Sequence, residues 1–290
     1  MKRYSDVKRA SLLGILANLF LLVIKIFAAF LSNSRAMISD AFNSAGDIFS
    51  SLITFIGNKI SSKPSDDDHN LGHGKAEYIY SMLISIIMIY TSIIVIKNTI
   101  LSINNNEYVF SKWLIFVCII TIITKFLLFI YTNKISKKHN NLLIKANSLD
   151  HRNDTIITSL TLLSAVFSYY NIKYVDIVAG IIIAVWILIQ SIEIFINSYD
   201  VLMDKCISKE VKDEVYKIIK KYPEIKKIQH FNSTPVGYMY QISLTIFVDG
   251  KLSTYDSHDI ADRLEKEITN SLDEIYLTVI HVNPIKIDKE

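Results

Sequence analysis

Seven residues with side-chain oxygen donors sit at helical spacing in two separate runs of the chain. The first run, residues 39–47, contains Asp40, Asn43 and Asp47. The second, residues 147–154, contains Asn147, Asp150, Asn153 and Asp154. Intervals of three and four place such residues on one helical face, with Cβ atoms about 5–6 Å apart. Each run thus offers a pair one turn apart, Asn43 with Asp47 and Asp150 with Asp154. If the two faces meet, four oxygens surround one point. Carboxylate and carbonyl oxygens suit hard divalent cations such as Mn²⁺, whereas imidazole suits Zn²⁺. The alternative is that these groups are hydrogen-bonding glue between helices, or lie near enough to water to stay hydrated. Asp40 stays open between a ligand and a support behind the ligands.

The elements that must carry these residues belong to a membrane. Of the 290 residues, 51% are hydrophobic, more than an ordinary soluble domain carries. They crowd into long runs before about residue 200. A span needs about 20 mostly apolar residues, and six stretches meet that length: 11–31, 37–60, 77–103, 112–133, 142–170 and 174–199. The first is too long for a signal-peptide core and lacks a clear cleavage site. A buried ionised group costs at least about 2.5–3.5 kcal/mol at mid-bilayer, so carboxylates in the second and fifth stretches need a compensating charge. A bound divalent cation supplies it.

Lys and Arg are concentrated at the amino end (Lys2, Arg3, Lys8, Arg9), after the second stretch (Lys59, Lys63, Lys75) and after the fourth (Lys134, Lys137, Lys138, Lys145). The positive-inside rule then predicts that both termini are cytoplasmic and that residues near Asn105 and Asn171 face outside. A net charge of +3 gives no concentrated basic face, so no nucleic-acid partner is expected. Cys118 and Cys206 form neither a disulfide framework nor a CxxC motif. With no nucleophile and base set, no HExxH and no phosphate-binding glycine loop, the chain does not read as an enzyme.

Beyond residue 204 the pattern becomes that of a small α+β module, expected over 205–290. A helix is predicted over 210–221, strands over 225–231 and 238–248, a helix with Ile260, Leu264, Ile268 and Leu272 as its buried stripe, and a last strand over 275–282. In the second strand Ile242, Leu244, Ile246 and Val248 alternate with Gln241, Ser243, Thr245 and Phe247. At about 80 residues the module is marginal in size, which makes pairing with a second copy expected.

Three runs resemble the cation diffusion facilitator family: DAFNSAGDI at 40–48, DDDHNLGHGKAE at 66–77, and DHRND at 150–154. The resemblance covers nearly the whole chain. It implies an all-α transmembrane bundle of six helices over 1–204, followed by a metallochaperone-like cytoplasmic α+β domain that dimerises and regulates. It further implies a homodimeric antiporter in the plasma (inner) membrane, exchanging cytoplasmic metal for protons by alternating access, with no permanently bound cofactor. The implied transport site is Asn43, Asp47, Asp150 and Asp154. Zinc-type members carry Asp or His at the first of these positions and His at the third, so this all-oxygen set resembles the manganese-exporting branch. Zn²⁺, Fe²⁺, Co²⁺ or Cd²⁺ on the same fold is the alternative cargo. A membrane-anchored sensor that binds without transporting is the alternative class.

The same resemblance implies an accessory loop site at Asp66, His69 and His73, which otherwise reads as a solvated acidic loop. It implies a cytoplasmic cluster at His230, His258 and His281, where Ser243 and Asn283 replace strong ligands. It also implies a Lys75–Asp204 salt bridge that links the membrane part to the soluble domain. His139 and His151 are expected to be surface or flanking residues. Metal and proton compete for one set of oxygens, because metal-free carboxylates repel one another and favour proton uptake.

Overall fold

The structure, a computed structural model, describes residues 2–32, 35–101, 112–169 and 175–285. It divides into two compact units, one of Met1–Lys63 with Ala76–Tyr199, the other of Pro64–Lys75 with Asp200–Glu290.

Among the described residues, six long helices build the first unit: α1 (Lys2–Ser32), α2 (Arg35–Ser61), α3 (Ala76–Leu101), α4 (Lys112–His139), α5 (Leu142–Tyr169) and α6 (Val175–Leu202). Its packing is inverted relative to a soluble bundle. Along α1 the buried positions Val7, Ser11, Gly14, Asn18, Leu21, Lys25 and Ala28 recur at three- and four-residue intervals, while Leu16, Phe20, Val23 and Phe27 are exposed. An apolar outer surface over a polar seam is stable where the surroundings are hydrocarbon. Among the described residues, four helices are long and apolar enough to cross a membrane, within Lys2–Ala28, Ala76–Leu101, Ile115–His139 and Gly180–Leu202. Helices α2 and α5, counted as spans on sequence, fall outside that group because α2 carries Asp40, Asn43 and Asp47 and α5 carries Asn147, Asp150, Asn153 and Asp154. The positions near Asn105 and Asn171 lie outside the described residues.

Helix ends differ from the sequence expectation for local reasons. Helix α1 begins at Lys2 rather than at 11, since Val7 and Ala10 pack against Ile135 and Ile144 and Arg3 turns inward to Glu77 at 2.6 Å. Helix α4 continues past 133 to His139 and closes through Asn140 in the left-handed region (φ 44°), with Asn141 N–H donating to Ser136 O at 3.2 Å. Asn141 then caps α5, its Oδ1 accepting from Ile144 N–H at 2.8 Å. Glu77 binds this corner by accepting from Leu142 N–H at 2.9 Å. Helix α5 packs on α4, α3 and α2, and α1 packs on α2 and α4.

In the second unit, α7 (Lys209–Ile219), β1 (Lys227–Val236), β2 (Met239–Val248), α8 (Thr254–Ser271) and β3 (Ile275–Pro284) follow in order. Strands β1 and β2 form an antiparallel hairpin, and α8 returns the chain so that β3 pairs parallel to β2. Ile242, Leu244, Ile246 and Val248 bury against Val215, Ile218 and Ile219 of α7 and Ile260, Leu264 and Ile268 of α8. The expected alternation holds, except that Thr245 is buried as well. Strand β1 lies later than the predicted 225–231 because pairing with β2 carries it through a bulge between Gln229 and Asn232. The tight β1–β2 turn depends on Gly237 at φ +64°. A Cβ there would lie 3.0 Å from Gly74 Cα, and one on Gly74 would lie 2.8 Å from Gly237 Cα.

Gly237→Ala combines a left-handed backbone with that backbone-to-backbone approach, so it is expected to destabilise the second unit by about 1–3 kcal/mol. The thermal midpoint of the purified protein measures it. An unchanged midpoint would mean that the Gly74 segment separates freely from the turn.

Candidate metal centre

Helices α2 and α5 touch each other, and their acidic faces converge. Asp47, Asp150 and Asp154 each offer a carboxylate oxygen, all within 4.8 Å of one another. The three are half-buried. The backbone of Asp40 and Asn43 lies in α2, but their side chains lie outside the described part of the structure. The described centre is therefore a triangle of carboxylates, with a geometry open to one cation coordinated by three or more oxygens.

A residue unremarked in the sequence enters this triangle. Lys125 of α4 places Nζ 2.6 Å from Asp47 Oδ2 and 2.6 Å from Asp154 Oδ2. Its side chain is 1% exposed, against 13% for Asp47 and 15% for Asp154. Lys125 stood in an otherwise apolar run, where one charge hardly lowers the average. A lone lysine in mid-span was the available signal, since intramembrane charge is kept for function. From α1, Asn18 Nδ2 donates to the Asp47 carbonyl oxygen at 3.2 Å and to Ser51 Oγ at 3.3 Å, fixing the α2 backbone at the site.

Of the two histidines expected to be surface or flanking residues, His139 ends α4 half-buried and His151 flanks Asp150 in the interior. His151 is fully buried, and among the described residues its ring nitrogens have no hydrogen-bond partner. A Cβ on Gly14 of α1 would come within 3.6 Å of His151 Nε2 and 2.9 Å of Ser51 Oγ, so α1 approaches both α2 and α5 at this level. Its neighbours in sequence, Asp150 and Arg152, point elsewhere, and Arg152 stacks 4.3 Å over Trp186 of α6. His139 Nε2 donates to Asp6 Oδ2 at 2.8 Å, which draws the ring into the α1–α4 contact.

The loop set also comes together. Asp66, His69 and His73 offer donor atoms within 4.8 Å of one another. His69 N–H donates to Asp66 Oδ1 at 2.7 Å, and its Nδ1 lies 3.1 Å from the same oxygen. His73 Nδ1 lies 3.1 Å from Pro64 O, an acceptor only, so Nδ1 carries the proton. His73 Nε2 lies 3.4 Å from Asp66 Oδ2: in the charged ring it donates towards that carboxylate, and in the neutral ring, with Nδ1 held by Pro64, it is the nitrogen left to bind a metal. Partial burial pushes the Asp66 carboxyl up, but the backbone and ring hydrogen bonds from His69, with the charge of both rings, hold it below its ordinary range.

His230, His258 and His281 are exposed. Among the described residues they are not part of a cluster of three converging ligands. His230 sits in the β1 bulge at φ 52°, His281 pairs with Thr245, and His258 faces Asp262 at 3.2 Å on α8. The Lys75–Asp204 pair forms at 2.7 Å, with both residues in the second unit.

A family model described as the cation efflux transmembrane domain matches residues 11–203, and another, the cytoplasmic domain of cation efflux proteins, matches residues 207–285. The chain is similar to the manganese efflux system protein MneP of Bacillus subtilis (strain 168), with 29% identity over 284 residues and 96% of each chain covered. It is similar to MneS of the same organism, another manganese efflux system protein, with 26% identity over 294 residues and 99% of each chain covered. A solved metal-bound C-terminal domain of the CzcD transporter from Thermotoga maritima shares 26% identity, covering 29% of this chain and 100% of that one at a TM-score of 0.27.

A carboxyl whose folded value is depressed contributes stability above its unfolded range and loses it as pH falls through the folded value. Amide protection across residues 66–72 is therefore expected to persist from neutral pH down to the ordinary carboxyl range of about 4, and to be lost progressively at lower pH as the depressed folded value is passed. Asp66→Ala should remove the protection at every pH. Hydrogen exchange read by mass spectrometry checks both, and protection that survives Asp66→Ala would show that the carboxylate does not hold the turn.

Proposed function

We propose, since the chain belongs to the cation efflux family, that it exports a divalent metal cation and that its preferred cargo is Mn²⁺. The observation that carries the proposal is the convergence of Asp47, Asp150 and Asp154 at one point between α2 and α5. The donors are all oxygens, the set that suits Mn²⁺ better than a site containing imidazole. Asn43, one turn before Asp47, is the fourth donor in this reading, and Asp40 lies a further turn segment away. The manganese efflux proteins MneP and MneS, to which the chain is similar, support the same cargo.

In the proposed mechanism all six long helices span the membrane, α2 and α5 being tolerated there because their polar faces turn towards each other. Both termini face the cytoplasm of a plasma-membrane protein. Cytoplasmic metal binds the carboxylates, the bundle reorients, and the ion leaves on the far side. The vacated carboxylates then repel one another in a poorly solvating interior and take up protons, which return as the site reopens inward. Metal and protons thus exchange because they occupy the same oxygens.

Residues 205–290 act as the dimerisation and regulatory domain, the membrane domain being 1–204. Asp66, His69 and His73 form an accessory loop site, and the Lys75–Asp204 pair steadies the residues beside it, a pair this exposed contributing about 0–1 kcal/mol. His230, His258 and His281 form at most a weak site that needs ligands beyond this chain's own cluster.

Reconstituted vesicles assayed with a panel of divalent cations test the proposal. Mn²⁺ flux is expected to be abolished by Asp47→Ala and by Asp154→Ala in protein that still purifies folded. Binding without flux in the wild type would favour the membrane-anchored sensor, and flux of Zn²⁺, Fe²⁺, Co²⁺ or Cd²⁺ in preference to Mn²⁺ would replace the cargo.

Selectivity follows from the donor at position 150. Asp150→His replaces an oxygen with a nitrogen that bonds Zn²⁺ at about 2.0–2.1 Å, so the ratio of Zn²⁺ to Mn²⁺ uptake under one proton gradient should rise. Asn43→Asp combined with Asp150→His should raise it further. A constant ratio in active variants would mean that these side chains do not set the preference.

A further inference from the structure

The export reading names the carboxylates as the ions' landing place, yet the structure puts a cation of the protein's own between two of them. The Lys125 ammonium is 2.6 Å from both Asp47 Oδ2 and Asp154 Oδ2. A divalent metal bonds carboxylate oxygens at about 2.0–2.2 Å, so it would need nearly the same volume. Two cations cannot share it, because like charges a few ångströms apart in a buried, poorly solvating site repel one another strongly. We propose that Lys125 is a tethered counter-cation that holds the transport site between cargoes, is pushed aside when a metal loads, and returns to the carboxylates as the metal leaves.

Three observations argue for exchange rather than for a permanent ion pair. First, Lys125 comes from α4, whereas the carboxylates come from α2 and α5, so its withdrawal leaves the triangle of Asp47, Asp150 and Asp154 intact for the metal. Second, the ammonium binds only two of the three converging carboxylates, so a divalent ion entering at Asp150 has an oxygen to bind before the lysine departs. Third, the four-carbon stem of a lysine allows its head to swing by several ångströms about its rotatable bonds, which an arginine fork does less readily.

The consequence is kinetic as well as thermodynamic. A tethered competitor acts at an effective concentration of order millimolar or above, so it weakens metal binding at every metal concentration. The same competition speeds release, since the returning ammonium compensates carboxylates that would otherwise be left bare in the membrane interior. Lysine thereby keeps a strongly attractive site from trapping its cargo.

This inference rests on the export reading, and its test separates the two. Mn²⁺ binding to purified protein and Mn²⁺ flux into vesicles are measured for wild type, Lys125→Met, Lys125→Gln and Lys125→Arg. Without the charge, Lys125→Met and Lys125→Gln are expected to bind Mn²⁺ tighter by about tenfold or more while maximal flux falls, so KM and kcat drop together. Lys125→Arg, which keeps the charge, should stay within about threefold of wild type in binding. A lysine that only latches α4 to its neighbours predicts the opposite: lower stability with unchanged or weaker binding in the folded neutral variants, which would overturn the inference. Should both neutral variants fail to fold, amine labelling of wild-type protein decides. Labelling of Lys125 must rise when Mn²⁺ saturates the site, and equal labelling with and without Mn²⁺ rejects the exchange. Wild-type protein that binds Mn²⁺ but moves no divalent cation sinks export alone, leaving the binding comparison to stand or fall by itself.

Discussion

Three carboxylates brought within 4.8 Å of one another in the interior of a membrane bundle must be answered by positive charge. Much of the first unit is arranged around that requirement. The long helices α2 and α5 supply the acids, α4 supplies Lys125, and α1 supplies Asn18 to hold the α2 backbone. None of these elements could be moved by one residue without changing which groups meet. A slip of α4 by a single position turns Lys125 by about 100° away from the acids, since 3.6 residues complete a turn.

The same constraint explains why the bundle is polar inside and apolar outside. Helix α1 buries Ser11, Asn18 and Lys25 and exposes Leu16, Phe20, Val23 and Phe27. Serines at 44, 50 and 51 of α2 and at 148 of α5 are buried beside the acidic faces. Small residues let the helix axes approach closely, as at Gly14, where α1 lies against Ser51 and His151. The fully buried His151 and Asn147, which have no hydrogen-bond partner among the described residues, mark how polar this seam is. In a hydrocarbon surrounding the loss is tolerated because the alternative, facing lipid, is worse.

The second unit depends on conventional forces. Its β2 face packs against α7 and α8 as an apolar layer, and its helices start at Ser208 and Ser253, whose hydroxyls accept from Val211 and Asp256 N–H groups. The 64–75 segment belongs to this unit although it joins α2 to α3 in sequence. Gly74 against Gly237 permits the approach, and Lys75 with Asp204 adds an ion pair beside it. Asp204 accepts the left-handed backbone that ends α6 (φ 57°), so one residue both closes a helix and presents a carboxylate.

Spacing within single elements determined much of this protein from the sequence alone. The i, i+4 pairs placed Asp47 with Asn43 and Asp150 with Asp154 on helical faces, apolar length defined the long helices, and period-two alternation defined the buried face of β2. These rules are local, because a helix or strand repeats its geometry whatever surrounds it. Tertiary structure decided what local rules cannot reach. Lys125 lay in an apolar run and was invisible to averaging, and nothing in the α4 sequence states that its face turns towards α2 and α5. His151 and His139 had no local partner, so only helix packing could bury one and give the other Asp6. Glu77, 65 residues before Leu142, meets that residue's N–H only because α3 and the α4–α5 corner pack together. Which faces meet depends on the summed packing of six helices, and that sum is a property of the folded chain rather than of any one segment.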